Sequence, residues 1–598
     1  MKARKADSVE TSAEVVGAWR HDPAFVTIIV LAGMAWFSAL GLIIVKWPFV
    51  LHKFVIPLAV SLYRPGHVPS AEGVEEFLGM LAYEAVMVGG LALGYACLWH
   101  YLLRRLPAGA PSMHVPSTPS LSTLEICCLA AIGVLAVILR LQRMTLGLRL
   151  DEVVTAIRFV DQSLWTTLST DDLFNNHLAH SFLANLTQQL FGRSEWALRL
   201  PSLLLGLTSL YVLWAFTRRL AGPALAVLAT AGLAVSPAHI FFSTQSRGYA
   251  GMLLFSLVST SLYWQILHRP SWGKGLLFTL ANVLAIFFQL YAALVVLTQL
   301  LFLLYLAVRE MATGRSGRFL SVDSCRILYL AFPAIVGMSF ARYALVVPHY
   351  VAQLHQLGHP AFDLSFPLRV LVLLSWGPAR SESLEDWELV VVTGGLCIVG
   401  WIALRQRCAR VADYWAFMGI FPLLIYMSTR PYYWPTRFLF FLLPFYLTLV
   451  AGGLLAAWQA ASTQTKRVSR TVLQACCLLT GVAILGAWLV SVWVDFPHLS
   501  HGFREAAWAM EEETVPEAGL CAFGSGGWTL QYYVKRDLFI PHNREDFDQF
   551  VSRYSSITCA FMSVVEVEPA YVRDIRSFLA QHAASRPIQD IVVYTYRK

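Results

Sequence analysis

The sequence is poor in charge. Only 14% of its 598 residues are Asp, Glu, Lys or Arg, while 57% are hydrophobic. Soluble domains carry roughly 25% charge. A chain this long has too little polar surface to cover itself in water, and lipid is the alternative solvent. Blocks of consecutive basic residues are also lacking. The net charge of +8 therefore does not point to nucleic acid, and fits Lys and Arg held at the cytoplasmic ends of helices. The ten cysteines include no Cys-x-x-Cys pair and no Cys/His spacing of a zinc site. Cys127, Cys128, Cys397, Cys476 and Cys477 lie in apolar runs, where Cys behaves as a small hydrophobe. The pattern of a cleavable signal is missing: Lys2, Arg4 and Lys5 precede a polar stretch, and the first apolar run, 25–45, has no small-residue cleavage site. No internal repeat is present, which weighs against a transporter built from repeats.

What the chain does have is apolar runs near the roughly 20 residues that a bilayer requires. They fall near 25–45, 78–102, 122–143, 199–218, 222–241, 249–267, 274–289, 290–308, 326–347, 388–404, 411–428, 436–458 and 471–493. The expected fold class is an all-α polytopic membrane bundle of about 13 transmembrane helices, with interfacial helices outside and a small C-terminal α/β domain. The clusters Arg104/Arg105, Arg218/Arg219, Arg405/Arg407/Arg410 and Lys466/Arg467/Arg470 share one side if the N-terminus is cytoplasmic. Three long segments then face outward: 144–198, 348–387 and 494–598. Three parts are expected: an N-terminal extension with two extra helices (1–121), a transmembrane core (122–495) and an extracytoplasmic domain (496–598).

The last hundred or so residues gain charge and turn residues. Runs at 519–523, 556–562 and 591–596 read as strands, and 544–554 and 569–582 as amphipathic helices. Cys521 and Cys559 sit in two of the strand-like runs. In an oxidising compartment they can pair as a disulfide. They can equally be buried thiols on strands too far apart to bridge.

Chemistry concentrates in the outer segments. Asp151-Glu152 follows directly on a span. A carboxylate there suits general-base work, and the plainer reading is a helix cap with a charged first turn. Asp171-Asp172 reads as a cap before a helix, and Asn175-Asn176-His177 follows in the same segment. His177 is a ligand, a proton carrier, a phosphate contact or a structural group. Ser243-Thr244-Gln245-Ser246-Arg247-Gly248-Tyr249 stands between two apolar spans. Arg247 needs an anion such as phosphate, unless it snorkels to headgroups. Arg437 begins a later span behind Tyr432, Tyr433 and Trp434; the aromatics read as an interface belt, and Arg437 as a contact for an anionic headgroup.

The stretch from about 148 to 265 resembles bacterial GT-C membrane glycosyltransferases, the group related to dolichyl-phosphate-mannose protein mannosyltransferases and lipid A aminoarabinose transferases. Asp151-Glu152, Asn175-Asn176-His177, Phe191-Gly192-Arg193-Ser194-Glu195-Trp196, Ser236-Pro237, Ser246-Arg247-Gly248-Tyr249 and Pro435-Thr436-Arg437 carry the resemblance through their order and spacing. It implies transfer of a sugar from a polyprenyl-phosphate donor to a lipid, glycan or protein acceptor, with inversion, on the outer face of a bacterial inner membrane. It further implies Asp151 as base with Glu152 beside it, and Arg247, Tyr249, His177, Asn176 and Arg437 around the donor phosphate. No cofactor is fixed by these residues, and a divalent metal is left open. Two departures stand out. Relatives often carry Glu where this chain has Gln245, and some have Pro-Pro where it has Leu178-Ala179. The alternative is a transporter or flippase of lipid-linked sugars, which would need charges inside spans. Apart from Arg342 few are present. A membrane-anchored scaffold would leave the Asp151-Glu152 segment unexplained.

Overall fold

The computed structural model describes residues 120–169, 176–313, 320–343, 363–381, 387–428, 435–495, 502–513, 517–523, 527–562 and 570–597. The two spans expected before residue 102 lie outside these residues, as do nearly all of the expected N-terminal extension, Asp171, Asp172, Asn175 and 430–434. Every described residue belongs to one of the chain's two compact units, Gly109–Val346 with Tyr350–Lys598.

In chain order the membrane part comprises α1 (Thr123–Leu141), α2 (Leu150–Thr155), a π turn (Ala156–Val160), α3 (Leu164–Ser169), α4 (Leu178–Phe191), α5 (Glu195–Ala221), α6 (Pro223–Val235), α7 (Pro237–Phe242), α8 (Tyr249–His268), α9 (Trp272–Phe288), α10 (Ala293–Thr313), α11 (Val322–Tyr343), α12 (Phe366–Trp376), α13 (Trp387–Arg407), α14 (Ala409–Ser428), α15 (Leu443–Ser462) and α16 (Arg467–Val490). Among the described residues nine helical stretches are long and apolar enough to cross a bilayer. They correspond to nine of the eleven spans expected after residue 121. Two differ. The 222–241 run is broken, because Pro237 cannot continue a helix and pushes Ser236 to ψ 126°, leaving α6 and α7 as separate pieces. The 274–289 run is the 17-residue apolar helix α9, which ends where Gln289 turns extended and falls just short of the nine spanning stretches in length.

Lipid-facing helices bury little of themselves. On α16 only Ile484 and Trp488 are buried, while Val472, Leu478, Leu479, Val482 and Leu485 are exposed. Inner helices pack by close backbone approach. A Cβ on Gly400 of α13 would meet the Leu449 carbonyl oxygen of α15 at 2.0 Å, so only glycine allows this crossing.

After residue 502 the chain forms α17 (Phe503–Glu513), β1 (Gly519–Phe523), β2 (Leu538–Phe539), α18 (Arg544–Arg553), β3 (Ser556–Met562), α19 (Ala570–His582), β4 (Ala584–Ile588) and β5 (Ile591–Arg597). The sheet order is β2-β1-β3-β5-β4. β1 runs parallel to β2 and β3, and β5 antiparallel to β3 and β4. The three expected strands and two expected helices are present. β2 and β4 were not expected: one is two residues long, and the other is a largely exposed edge containing Pro587. Cys521 and Cys559 are register partners on neighbouring strands, with Cα atoms 4.5 Å apart, and they form a disulfide. The separation that would have kept them as thiols does not arise.

The sheet's two faces have different tasks. One packs on α18 and α19 through Phe547, Phe550, Val572, Ile575 and Leu579. The other presents Leu520, Ala522, Ala560, Met562 and Val593 to α17, and this core continues into Leu148, Val153, Ala156 and Val160 of the membrane part. The soluble domain and the Asp151 segment therefore share one hydrophobic core.

Candidate active site

The segment opens with Arg149 in extended backbone at the N-terminal boundary of α2, and both carboxylates fall in the first helical turn. Asp151 is therefore not the cap. It is Glu152 that reaches back, accepting from the Arg149 amide at 3.0 Å.

One step around the helix separates two fates. Glu152 is 1% exposed, and both its oxygens are occupied. Oε1 accepts from Arg199 Nε at 2.9 Å and the Ser246 amide at 2.7 Å; Oε2 accepts from Arg199 Nη2 at 2.8 Å and the Arg149 amide. Burial alone would raise this carboxyl, but the Arg199 charge and these hydrogen bonds outweigh it and hold it below the usual carboxylate range. Arg199 spends its remaining donors on the carbonyls of Arg143, Met144, Leu146 and Gly147. The pair thus braces the connection between α1 and α2. Asp151, in contrast, has a side chain 46% exposed, with Oδ2 3.8 Å from Nη2 of both Arg247 and Arg437.

Arg247 reaches Asp151 from the turn between α7 and α8. Its carbonyl accepts from Ser202 Oγ at 3.0 Å, and the Ser246 amide is held by Glu152. Gly248 makes the turn possible: a Cβ there would meet the Phe288 carbonyl oxygen at 1.9 Å and His177 Nδ1 at 2.8 Å. Arg437 lies on a 3₁₀ turn, Thr436–Leu442, ahead of α15. Arg149, to which the sequence reading gave no role, stands 5.2 Å over the Phe241 ring and feels the charges of Glu152, Asp151, Arg437 and Arg247. Three guanidinium groups around one accessible carboxylate make a site with excess positive charge.

His177 and Tyr249 lie edge to face, ring centroids 5.2 Å apart, and the Arg247 guanidinium stands 5.9 Å from the Tyr249 ring. His177 Nδ1 is 2.8 Å from the Phe288 carbonyl oxygen. A carbonyl only accepts, so Nδ1 carries the proton. Burial, reinforced by the Arg247 charge, pushes the imidazole well below its ordinary value and keeps it neutral. Asn176 donates to the Thr167 carbonyl at 3.3 Å and accepts from Ser181 Oγ at 2.8 Å, tying α4 to α3.

Besides Arg149, two groups escaped the sequence reading. His180, one turn beyond His177, is fully buried. Arg140 near the end of α1 is also fully buried, donating to Ser243 Oγ at 2.9 Å and to the Ala136 and Ala234 carbonyls, with His239 Nδ1 at 2.6 Å. The Ala234 carbonyl comes from the last turn of α6, where the helix dipole favours a cation. Arg140 so pins the start of the Arg247 turn. An arginine at the end of a hydrophobic run was the available signal, and it is the common signal of a snorkelling residue. Among the described residues no three of His, Cys, Asp and Glu gather as a metal site would require.

Similar solved structures include ArnT from Cupriavidus metallidurans bound to undecaprenyl phosphate, at 14% identity, TM-score 0.49, covering 80% of this chain and 98% of that one. The archaeal oligosaccharyltransferase AglB from Archaeoglobus fulgidus, in complex with an inhibitory peptide and a dolichol-phosphate, has 9% identity, TM-score 0.42, and coverage of 73% and 69%. The mycobacterial arabinofuranosyltransferase AftD has 14% identity, TM-score 0.43, and coverage of 80% and 40%. No curated protein sequence matches the chain. Residues 177–336 match the family model described as dolichyl-phosphate-mannose-protein mannosyltransferase. That stretch begins at His177 and carries Arg247 and Tyr249, and its match bears out the resemblance drawn from the motifs.

Proposed function

We propose that the chain transfers a sugar from a polyprenyl-phosphate carrier to a hydroxyl of a lipid, glycan or protein acceptor, on the extracytoplasmic face and with inversion at the anomeric carbon. The observation that carries this reading is Asp151 lying within 3.8 Å of two arginines at an accessible site. Asp151 takes the proton of the acceptor hydroxyl. The hydroxyl oxygen forms its bond to the anomeric carbon as the bond to the phosphate oxygen breaks, and the lipid phosphate leaves with the electron pair. That leaving group requires positive charge rather than a proton, which Arg247, Arg437 and Arg149 supply. The phosphate competes with Asp151 for the same guanidinium groups, so donor binding turns the carboxylate toward the acceptor. Glu152 orients the site through Arg199 and Ser246.

The core from 122 to 495 carries the transfer site, and 496–598 forms an outer domain. The Lys/Arg asymmetry of the loops supports a cytoplasmic N-terminus. The Cys521–Cys559 bond supports an oxidising compartment for the domain, as outside a bacterial inner membrane. Membranes expressing Asp151→Asn, probed by mass spectrometry of surface glycans and lipids, are expected to lose transfer by about 10²–10⁴-fold. Transfer comparable to the unaltered chain would overturn the assignment.

A further inference from the structure

Five buried polar atoms of uncharged side chains near Arg247 have no hydrogen-bond partner: His177 Nε2, both ring nitrogens of His180, Tyr249 Oη and Ser246 Oγ. Their residues are 0–4% exposed. An orphaned buried polar group costs stability wherever it occurs, so folded chains keep few of them. Several in one place mark buried polar groups that a ligand would complete. These come from two elements only, the first turn of α4 and the turn leading into α8. His177 and His180 share a helix face three residues apart. His177 touches Tyr249, and the Arg247 charge acts on both histidines.

The chemistry of the atoms says what completes them. A phosphate oxygen only accepts hydrogen bonds. His177 Nε2 also only accepts, because its neutral ring has committed the proton to Nδ1. The neutral His180 ring offers one donor and one acceptor, and the Tyr249 and Ser246 hydroxyls each do both. Burial, with Arg247 nearby, holds His180 down to about 3, so neutral is its working form. Uncharged groups that donate and accept in turn fit a ligand whose groups do the same, which is a polyhydroxylated ring. We infer that His180, with His177 Nε2, Tyr249 and Ser246, forms the subsite that reads the hydroxyls of the transferred sugar, beside and distinct from the arginine subsite for the phosphate. This rests on the transferase reading and divides its donor site in two.

The test compares purified unaltered protein with His180→Leu, His180→Gln and Arg247→Ala. The probes are bare undecaprenyl phosphate and undecaprenyl phosphate carrying glucose, mannose, galactose or arabinose. The unaltered protein is expected to bind at least one glycosylated carrier more tightly than the bare lipid. His180→Leu should lose that preference, about tenfold per hydrogen bond, with bare-lipid affinity unchanged. His180→Gln, which keeps a donor and an acceptor, should recover part of it. Without ligand, His180→Leu should melt no lower than the unaltered protein, since it removes an unsatisfied polar group, whereas a merely structural histidine would lower the melting point. An undiminished preference in His180→Leu overturns the inference, as does equal loss of both ligands, or no preference in the unaltered protein. Arg247→Ala reports separately: if it leaves bare undecaprenyl phosphate binding intact, the phosphate assignment fails instead.

Discussion

Replacing Glu152 by Gln tests whether the two adjacent carboxylates do different work. The change is nearly isosteric. It removes one charge and turns one acceptor oxygen into a donor. Each Glu152 oxygen accepts two hydrogen bonds, so whichever way the amide points, two donors face a third. The Arg199 side chain, only 4% exposed, is left with neutral carbonyls as acceptors. Breaking one partner of a buried, hydrogen-bonded ion pair costs about 3–5 kcal/mol. Asp151→Asn disturbs a half-exposed carboxylate whose ion pairs, at 3.8 Å, are in the range of about 0–1 kcal/mol. Thermal unfolding of the detergent-solubilised variants, alongside transfer per folded molecule, separates the two. Glu152→Gln should melt well below the unaltered protein and keep more of its activity per folded molecule than Asp151→Asn. Asp151→Asn should melt close to the unaltered protein and be inactive. A Glu152→Gln protein that melts normally and has lost transfer would refute the division of labour.

Arg247→Ala should weaken donor use by about 10²–10³-fold, and Arg247→Lys should recover only part, since a point charge does not replace a planar fork; donor titration at fixed acceptor checks both. Gly248→Ala should cost about 1–3 kcal/mol and lower transfer, because the new Cβ forces the turn off the Phe288 carbonyl; unchanged melting and rate would contradict the close approach. Cys559→Ser opens a loop with a sequence separation of 38 and should cost roughly 3–4 kcal/mol, as should reductant, read by thermal unfolding. His180 binds no proton in the folded chain above about 3 but does so below about pH 6.5 once unfolded. The unfolded state then holds more protons, so stability should fall as pH drops below about 6.5, by up to about 1.4 kcal/mol per pH unit from this group. His180→Leu should flatten that decline in melting temperature.

Hydropathy placed most of the membrane helices, because length and apolarity are local properties of the chain. It ran through Ser236-Pro237, where the break is made by backbone sterics that hydropathy does not register. The soluble domain was legible for a similar reason. β1 and β3 are short buried runs bounded by turns, and α18 and α19 carry regular amphipathic spacing. Local patterns also brought Asp151, Arg247 and Arg437 forward as candidates. They could not tell Asp151 from Glu152, since the difference is made by Arg199, 47 residues away. They passed over His180 and Arg140, each a lone polar residue among apolar neighbours, whose character depends on what tertiary packing leaves them to bind.

The connection between α1 and α2, which leads into Asp151, has little structure of its own. Its backbone polar groups are satisfied from two directions. From the membrane side, Arg199 takes the carbonyls of residues 143–147. From the C-terminal domain, Tyr533 Oη accepts from the Leu148 amide at 2.7 Å, and Arg504 donates to the Thr145 carbonyl at 2.6 Å. Apolar packing repeats the pattern: Leu148, Val153, Ala156 and Val160 share their core with Phe503, Ala506, Ala507, Met510 and Leu530. Farther along, Arg193 ion-pairs Asp161 at 2.9 Å and lies 4.3 Å over the Tyr532 ring. The position of Asp151 relative to Arg247 and Arg437 is thus fixed jointly by the transmembrane core and the soluble domain. A small displacement of a catalytic group is enough to cost a large factor in rate. With Asp151 as the proposed base, the C-terminal domain is a wall of the catalytic segment, and its disulfide-fastened sheet would bear on transfer through geometry.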